Sequence, residues 1–367
     1  MIRIPRAHLN VEVQTHPGMA GKNNEDRYAV ASFYANQQDK TPILFAVLAD
    51  GIGGHRGGEV AAELAVNHIM QSVARSDGKF SRRVIEQAVN EASEAIAAHA
   101  AANEDLKGMG ATCAIAWIIG DKLHTAYVGD SRIYLIRGGR IQQLTIDHTW
   151  VQEAIDKGIL TPELARQHPN VHVIRRYLGS PVPPDPDFRL NLFDGEGAHH
   201  AENNQGTALQ PNDVLLLCSD GLTDLVWNDE ILEIVRTKSN LKEAARALID
   251  LANQRGGHDN ITVILIGVPS DFRVKPKKKT DWMLWMIGAL TILFLLLILA
   301  ASFLTFSLLR RTISVTPTPL FSPTPLVTVT SPPLPTSTPI PTQTPAPDVI
   351  LPPAPTYTPW PTNTISP

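Results

Sequence analysis

The sequence predicts an α+β domain in which helices pack outside antiparallel sheets, followed by one membrane-spanning helix and a disordered tail rich in proline and threonine. Three observations carry that reading. Apolar runs of strand length recur with very short turns between neighbours, "GD" at 120–121 and "GG" at 138–139, which implies antiparallel meanders. Longer segments carry apolar residues at spacings of three and four, the helical period. After about residue 270 the composition changes abruptly.

In chain order, "MIRIPRAHLNVEVQTHPG" lacks the apolar core of a signal peptide, so the globular part is expected on the cytoplasmic side. A short strand is expected at 27–33, then strands at 42–50, 111–119, 122–130, 132–137, 140–145, 213–220 and 260–268. Helices are expected at 58–76, at 81–103 with Ser81 as N-cap, and at 239–256. The two cysteines, Cys113 and Cys218, fall inside apolar strands and are expected to be buried, reduced thiols. The chain has 367 residues and a net charge of -4. With no basic stripe it is not expected to bind nucleic acid, and with no paired Cys or His motif it is not a zinc module.

Residues 1–270 are read as one domain and 271–281 as a basic linker carrying Lys275, Lys277, Lys278 and Lys279. The uncharged run 282–309, about 28 residues, exceeds the roughly 20 needed to span a bilayer. Trp282 and Trp285 suit an interfacial belt, and the run is expected to contact membrane lipid. The lysines place the first domain in the cytoplasm and the tail 310–367 outside, although Arg310 and Arg311 make both flanks basic. Proline at nearly every second or third position of that tail forbids helix and sheet, leaving an extended spacer.

Carboxylates mark the strand ends. "FAVLADG" ends in Asp50-Gly51, "TAYVGDS" in Asp130, and "LLLCSDGLTD" in Asp220 with Asp224 four residues on; "GGHDNIT" opens a strand with Asp259, and "NNED" puts Glu25 and Asp26 before another. One such Asp is a turn residue. Several together would repel by several kcal/mol unless cations offset them, and oxygen ligands suit Mg²⁺ or Mn²⁺ rather than zinc.

The order of "NNED", "ADGIGGH", "GATC", "VGDSR", "LTIDHT", "CSDGLTD" and "GGHDNIT" resembles the metal-dependent protein phosphatases of type 2C, particularly bacterial members, over residues 10–268. The stretch 150–179 resembles their flap and the helix after it. The resemblance implies a four-layer α-β-β-α sandwich of two antiparallel sheets flanked by helices, with two Mn²⁺ or Mg²⁺ ions at one end and a third, weaker ion beside them. Asp50 would bridge the two metals, the Gly51 carbonyl would bind the second, and Asp220 and Asp259 the first. Glu25 would hold a water at the metals, Asp26 would orient the Asp50 side, and Asp130, Asp220 and Asp224 would hold the third ion. The implied activity is hydrolysis of phosphoserine and phosphothreonine in proteins by a metal-activated water, the expected partners being a membrane Ser/Thr kinase and its substrates.

Two positions depart from the family pattern. The arginine that would fork onto the substrate phosphate is replaced by Gly21, so Lys22 or Arg27 is expected to supply a looser positive charge. The histidine that follows "DG" in eukaryotic members is Ile52 here; His55 is not promoted to its role, and His148 and His258 are assigned to packing and supporting hydrogen bonds. Gly21 alone favours an inactive phosphoprotein-binding module of the same fold, which retention of Asp50, Asp220 and Asp259 opposes. A phosphatase dedicated to one regulatory protein, such as an anti-sigma antagonist, is the other alternative.

Overall fold

The computed structural model describes residues 1–53, 57–272 and 282–312. The chain divides into two units, Met1–Lys278 and Lys279–Pro367. In the first, β1 (Ile2–Ile4), β3 (Arg27–Tyr34), β4 (Pro42–Ala49), β7 (Cys113–Ile119), β8 (Lys122–Val128) and β11 (Thr207–Ala208) form a six-stranded sheet in that spatial order. A five-stranded sheet runs β10 (Arg140–Gln143), β9 (Arg132–Arg137), β12 (Val214–Cys218), β13 (Ile261–Gly267), β2 (Asn10–His16). Every pairing is antiparallel, including the small ribbon of β5 (Gly51–Ile52) with β6 (Gly110–Ala111).

The two-residue period of a strand sorts side chains between layers. Leu44, Ala46 and Leu48 of β4 point inward, onto Leu215 and Leu217 of β12 and Ile264 and Ile266 of β13. Their neighbours Ile43, Phe45 and Val47 point outward and are buried with Ala61, Ala65 and Ile69 of α1 (Gly57–Arg75) and Ile85, Val89 and Ile96 of α2 (Arg82–Ala102). On the other side Leu216 and Cys218 are buried with Ile231 of α7 (Asn228–Thr237) and Leu248 of α8 (Leu241–Gln254). Helices thus cover both sheets, which is why these strands read as nearly unbroken apolar runs instead of alternating ones. Cys113 and Cys218 are buried free thiols, and burial pushes both up to about 12.

Short helices fill the connections: α3 (Trp150–Asp156), α4 (Pro162–Arg166), α5 (Ala198–Asn203) and α6 (Asp220–Thr223). The expected flap therefore carries its helices at the start, and the chain from 167 to 179 is irregular where a following helix was expected. The expected strand at 111–119 is broken at Thr112. Ser81 occupies the N-cap position of α2, yet its side chain makes no capping bond. β2 and α7 escaped the sequence reading: "NVEVQTH" is a half-buried edge strand with too little apolar content to stand out.

In the second unit α9 (Trp282–Thr312) contains the stretch Leu290–Leu309, of mean hydropathy 2.7, long and apolar enough to cross a membrane. The helix runs to Thr312, so the expected boundary at 309 falls inside it. His55, the linker residues 273–281 and the tail 313–367 lie outside the described residues, as do the side chains of Trp282 and Trp285.

Candidate metal centre

The strand ends of both sheets supply the carboxylates. Asp50 follows β4, and Thr112 clasps it: the Asp50 N–H donates to Thr112 Oγ1 at 2.9 Å, while the Thr112 N–H donates to the Asp50 carbonyl at 2.9 Å. That exchange is why β6 and β7 are separate strands. Gly51 must be glycine, since a Cβ there would lie 2.2 Å from the Gly58 carbonyl oxygen at the start of α1. A Cβ on Gly58 would in turn meet Glu25 Oε2 at 2.6 Å and the Gly51 oxygen at 2.7 Å. The Glu25 carboxylate and the Gly51 carbonyl are thereby brought to one side of the α1 N-terminus.

Asp130 follows β8, Asp220 opens α6 after β12, and Asp26 and Asp259 precede β3 and β13. Their mutual influence reports their proximity. Burial raises Asp50 well above the usual carboxylate range, with Asp26, Asp220 and Asp130 adding to it. Asp220 is raised likewise, by burial and then by Asp130, Asp224 and Asp259. Burial and Asp147 lift Asp130 to about 7, and burial and Asp259 lift Glu25 to about 7. Asp26 rises to about 6 because its burial outweighs hydrogen bonds from Thr262 and Ser219. Asp224 is also raised by burial, against His172, Arg132 and Arg166.

A cation fits this arrangement. The buried oxygens Asp26 Oδ1, Asp130 Oδ1 and Asp220 Oδ1 have no hydrogen-bond partner among the described residues. Orphaned buried acceptors are rare, and an oxygen-rich set suits a hard cation. The structure also adds a residue the sequence reading left out: ligand atoms of His172, Asp220 and Asp224 lie within 4.8 Å of one another, with His172 Nδ1 3.4 Å from Asp224 Oδ2. His172 stands in the flap-like stretch, and no spacing in the sequence ties it to Asp220.

Other residues hold the ligands in place. Asn260 accepts from the Glu25 N–H at 2.6 Å and donates to the carbonyls of Pro17 (3.1 Å) and Asn23 (3.0 Å), stapling "NNED" to the start of β13. The Ser219 hydroxyl donates to Asp26 Oδ2 at 2.8 Å and accepts from the Thr262 N–H. Arg132 grips Asp147 through Nε and a terminal nitrogen, beside the Asp130 loop. His148 is buried: its Nδ1 accepts from the Gly129 N–H at 3.1 Å and its Nε2 faces Asp187, so it supports the same loop as expected. His258 is exposed and lies against Gly256, so its expected part in the packing is slight.

The two candidate phosphate-binding cations separate. Arg27 pairs with Glu59 and donates to the carbonyls of Asn24 and Asp26, which commits it to the fold. Lys22 remains half-exposed, 3.6 Å from Asp259. Among the described residues nothing lies within 4 Å of where a Gly21 side chain would point, but its φ of +72° is left-handed.

Comparison with known proteins agrees with this geometry. The protein phosphatase 2C family model matches residues 15–259. A Listeria innocua serine/threonine phosphatase, stp, is 35% identical over 262 residues, covering 70% of this chain and 95% of that protein. The S. agalactiae serine/threonine phosphatase has a TM-score of 0.61 at 32% identity, covering 71% of this chain and 100% of that one. The catalytic domain of the phosphatase PstP, solved in complex with two manganese ions, has a TM-score of 0.57 at 33% identity, covering 71% and 98%. On these grounds the chain belongs to the protein phosphatase 2C family and is a metal-dependent serine/threonine protein phosphatase.

Proposed function

We propose that residues 1–270 hydrolyse phosphoserine and phosphothreonine in proteins at a binuclear Mn²⁺ or Mg²⁺ centre. One observation carries the reading: carboxylates from the ends of both sheets converge with buried oxygens left unpartnered, an arrangement that repels itself unless cations occupy it. Asp50 and the Gly51 carbonyl, with Asp220 and Asp259, would hold the two ions. When bound, the pair supplies an activated water and neutralises the phosphoryl oxygens.

The chain's own residues do the rest. Asn260 and Ser219 fix Glu25 and Asp26, so that Glu25 can hold and orient a water molecule. Thr112 fixes the direction of Asp50. Lys22 offers an exposed charge to an arriving phosphate, more loosely than a forked arginine would. A third, weaker ion would sit among Asp130, Asp220, Asp224 and His172. The substrates on this reading are phosphoproteins associated with a membrane Ser/Thr kinase. The candidate span in α9, which would contact lipid with the phosphatase domain in the cytoplasm, supports that assignment.

The test is Mn²⁺-dependent phosphate release from a phosphothreonine protein by the full chain in detergent, beside Asp220→Asn. The variant removes a ligand charge at constant shape and is expected to lose roughly 10²–10⁴-fold in turnover, the several kcal/mol that metal stabilisation supplies. Equal turnover by both proteins would refute the centre. No turnover by either would turn the reading toward a phosphoprotein-binding module.

A further inference from the structure

The stretch 150–179 is weakly packed at its tip. Ala165 is the one buried side chain of α4, while Ile159 and Leu164 are 67% and 62% exposed. Apolar burial therefore does little to hold α4 against the domain. A polar contact holds it instead: Arg166, the last residue of α4, donates to the Thr223 carbonyl at 2.6 Å and lies 3.6 Å over the ring of Trp227. Thr223 sits between Asp220 and Asp224, so the contact reaches the segment that bears two of the clustered carboxylates.

The platform under Arg166 is rigid. The Asp224 N–H donates to the Asp220 carbonyl at 2.8 Å and the Val226 N–H to the Leu222 carbonyl at 2.9 Å, with Val226 fully buried. The Trp227 N–H donates to Glu230, which Arg255 grips with two nitrogens at 2.7 and 2.5 Å. Arg255 also donates to the Leu225 carbonyl at 2.7 Å. Trp227 itself is 53% exposed, and its ring lies under the Arg166 guanidinium.

We propose that Arg166 is a positioning residue for substrate selection: by stacking on Trp227 and bonding to the Thr223 carbonyl, it sets the flap as a wall beside the carboxylate cluster, pre-formed for a polypeptide substrate. This rests on the phosphatase reading. A phosphoprotein large enough to touch the flap gains from having it already in place. A small phosphate ester reaches only the metal centre and is indifferent to it. Releasing the latch lowers the fraction of molecules with a competent flap, so apparent affinity for protein falls by that fraction while the chemical step is untouched.

The experiment compares wild type, Arg166→Ala, Arg166→Lys and Trp227→Ala as full chains in detergent. A phosphothreonine protein and p-nitrophenyl phosphate are the substrates, and hydrogen exchange of the flap in EDTA is a readout that needs neither metal nor turnover. A charged hydrogen bond with a stacked cation predicts that Arg166→Ala raises KM for the protein about tenfold and speeds exchange across 157–173 by a similar factor. With Mn²⁺ saturating, so that loss of the Arg166 charge facing Asp224 does not alter metal loading, kcat on both substrates and KM for p-nitrophenyl phosphate should stay within about twofold of wild type. Arg166→Lys, which keeps the charge but not the planar stack, should recover part of the loss, and Trp227→Ala, which leaves the Thr223 bond, should lose less than Arg166→Ala. Unchanged exchange, or equal losses on both substrates, would overturn the proposal. A wild type inactive on both substrates would instead overturn the phosphatase reading, leaving the exchange result to judge the latch alone.

Discussion

At the scale of single residues, Gly21 shows how local backbone limits what a substitution can restore. Its φ of +72° costs an L side chain about 1 kcal/mol, yet nothing among the described residues lies within 4 Å of the Cβ direction. Gly21→Arg is therefore expected to lower the melting temperature by about 2–4 °C while lowering KM for a phosphothreonine peptide several-fold, with kcat unchanged. Steady-state kinetics beside a thermal melt check both halves. An unchanged KM would mean that a side chain at this position does not reach the phosphate. Asp50, Asp130 and Asp220 were legible in the sequence because each ends an apolar run beside a glycine. The groups that hold the carboxylates were not: Thr112, Ser219 and Asn260 are ordinary polar residues locally, and their roles arise from partners 62, 193 and 235 positions away. His172 was missed for the same reason. Nothing local in the sequence ties Arg27 to Glu59, which lies in a helix 32 positions on.

Among the secondary-structure elements, the strongly apolar strands and the long amphipathic helices were legible to within a residue or two, whereas β2 and α7 were not. Where an element's end carries function, the boundary departs from the apolar pattern, as at Thr112. Element packing also sets a pH dependence. His124 of β8 stacks on Phe80 with centroids 4.1 Å apart, and burial lowers its pKa to about 4, with Lys122 acting in the same direction and Gln205 opposing. Between about 6.5 and 4 the unfolded chain binds a proton at this site that the folded chain does not, so the contribution to stability is lost as pH falls through that window. Discounted for partial exposure, the loss is about 2 kcal/mol. Denaturant unfolding at pH 7.5 and pH 5 is expected to show a smaller fall for His124→Phe than for wild type. Carboxylates titrating in the same range act on both proteins alike and cancel in the difference. Equal falls would mean that the imidazole accepts its proton in the folded state.

At the scale of the whole phosphatase domain, the clustered carboxylates belong to different sheets. Asp26, Asp50 and Asp130 sit at the ends of β3, β4 and β8 in the six-stranded sheet, and Asp220 and Asp259 at the ends of β12 and β13 in the five-stranded one. Cations bound among them would tie the two sheets together at one edge, while relieving the repulsion that otherwise pushes the same edge apart. Binding is then linked to the stability of the sandwich and not only to catalysis. At a hundredfold excess over Kd a bound ion stabilises by about 2.7 kcal/mol, which for a domain of this size moves the melting temperature by about 5–10 °C. Calorimetry of the full chain in detergent, with Mn²⁺ and then with EDTA, measures that shift. Asp220→Asn should melt higher than wild type in EDTA, because one repelling charge is gone, and should gain less from Mn²⁺, because one ligand is gone. A melting temperature indifferent to Mn²⁺ in wild type would show that no ion joins the sheets.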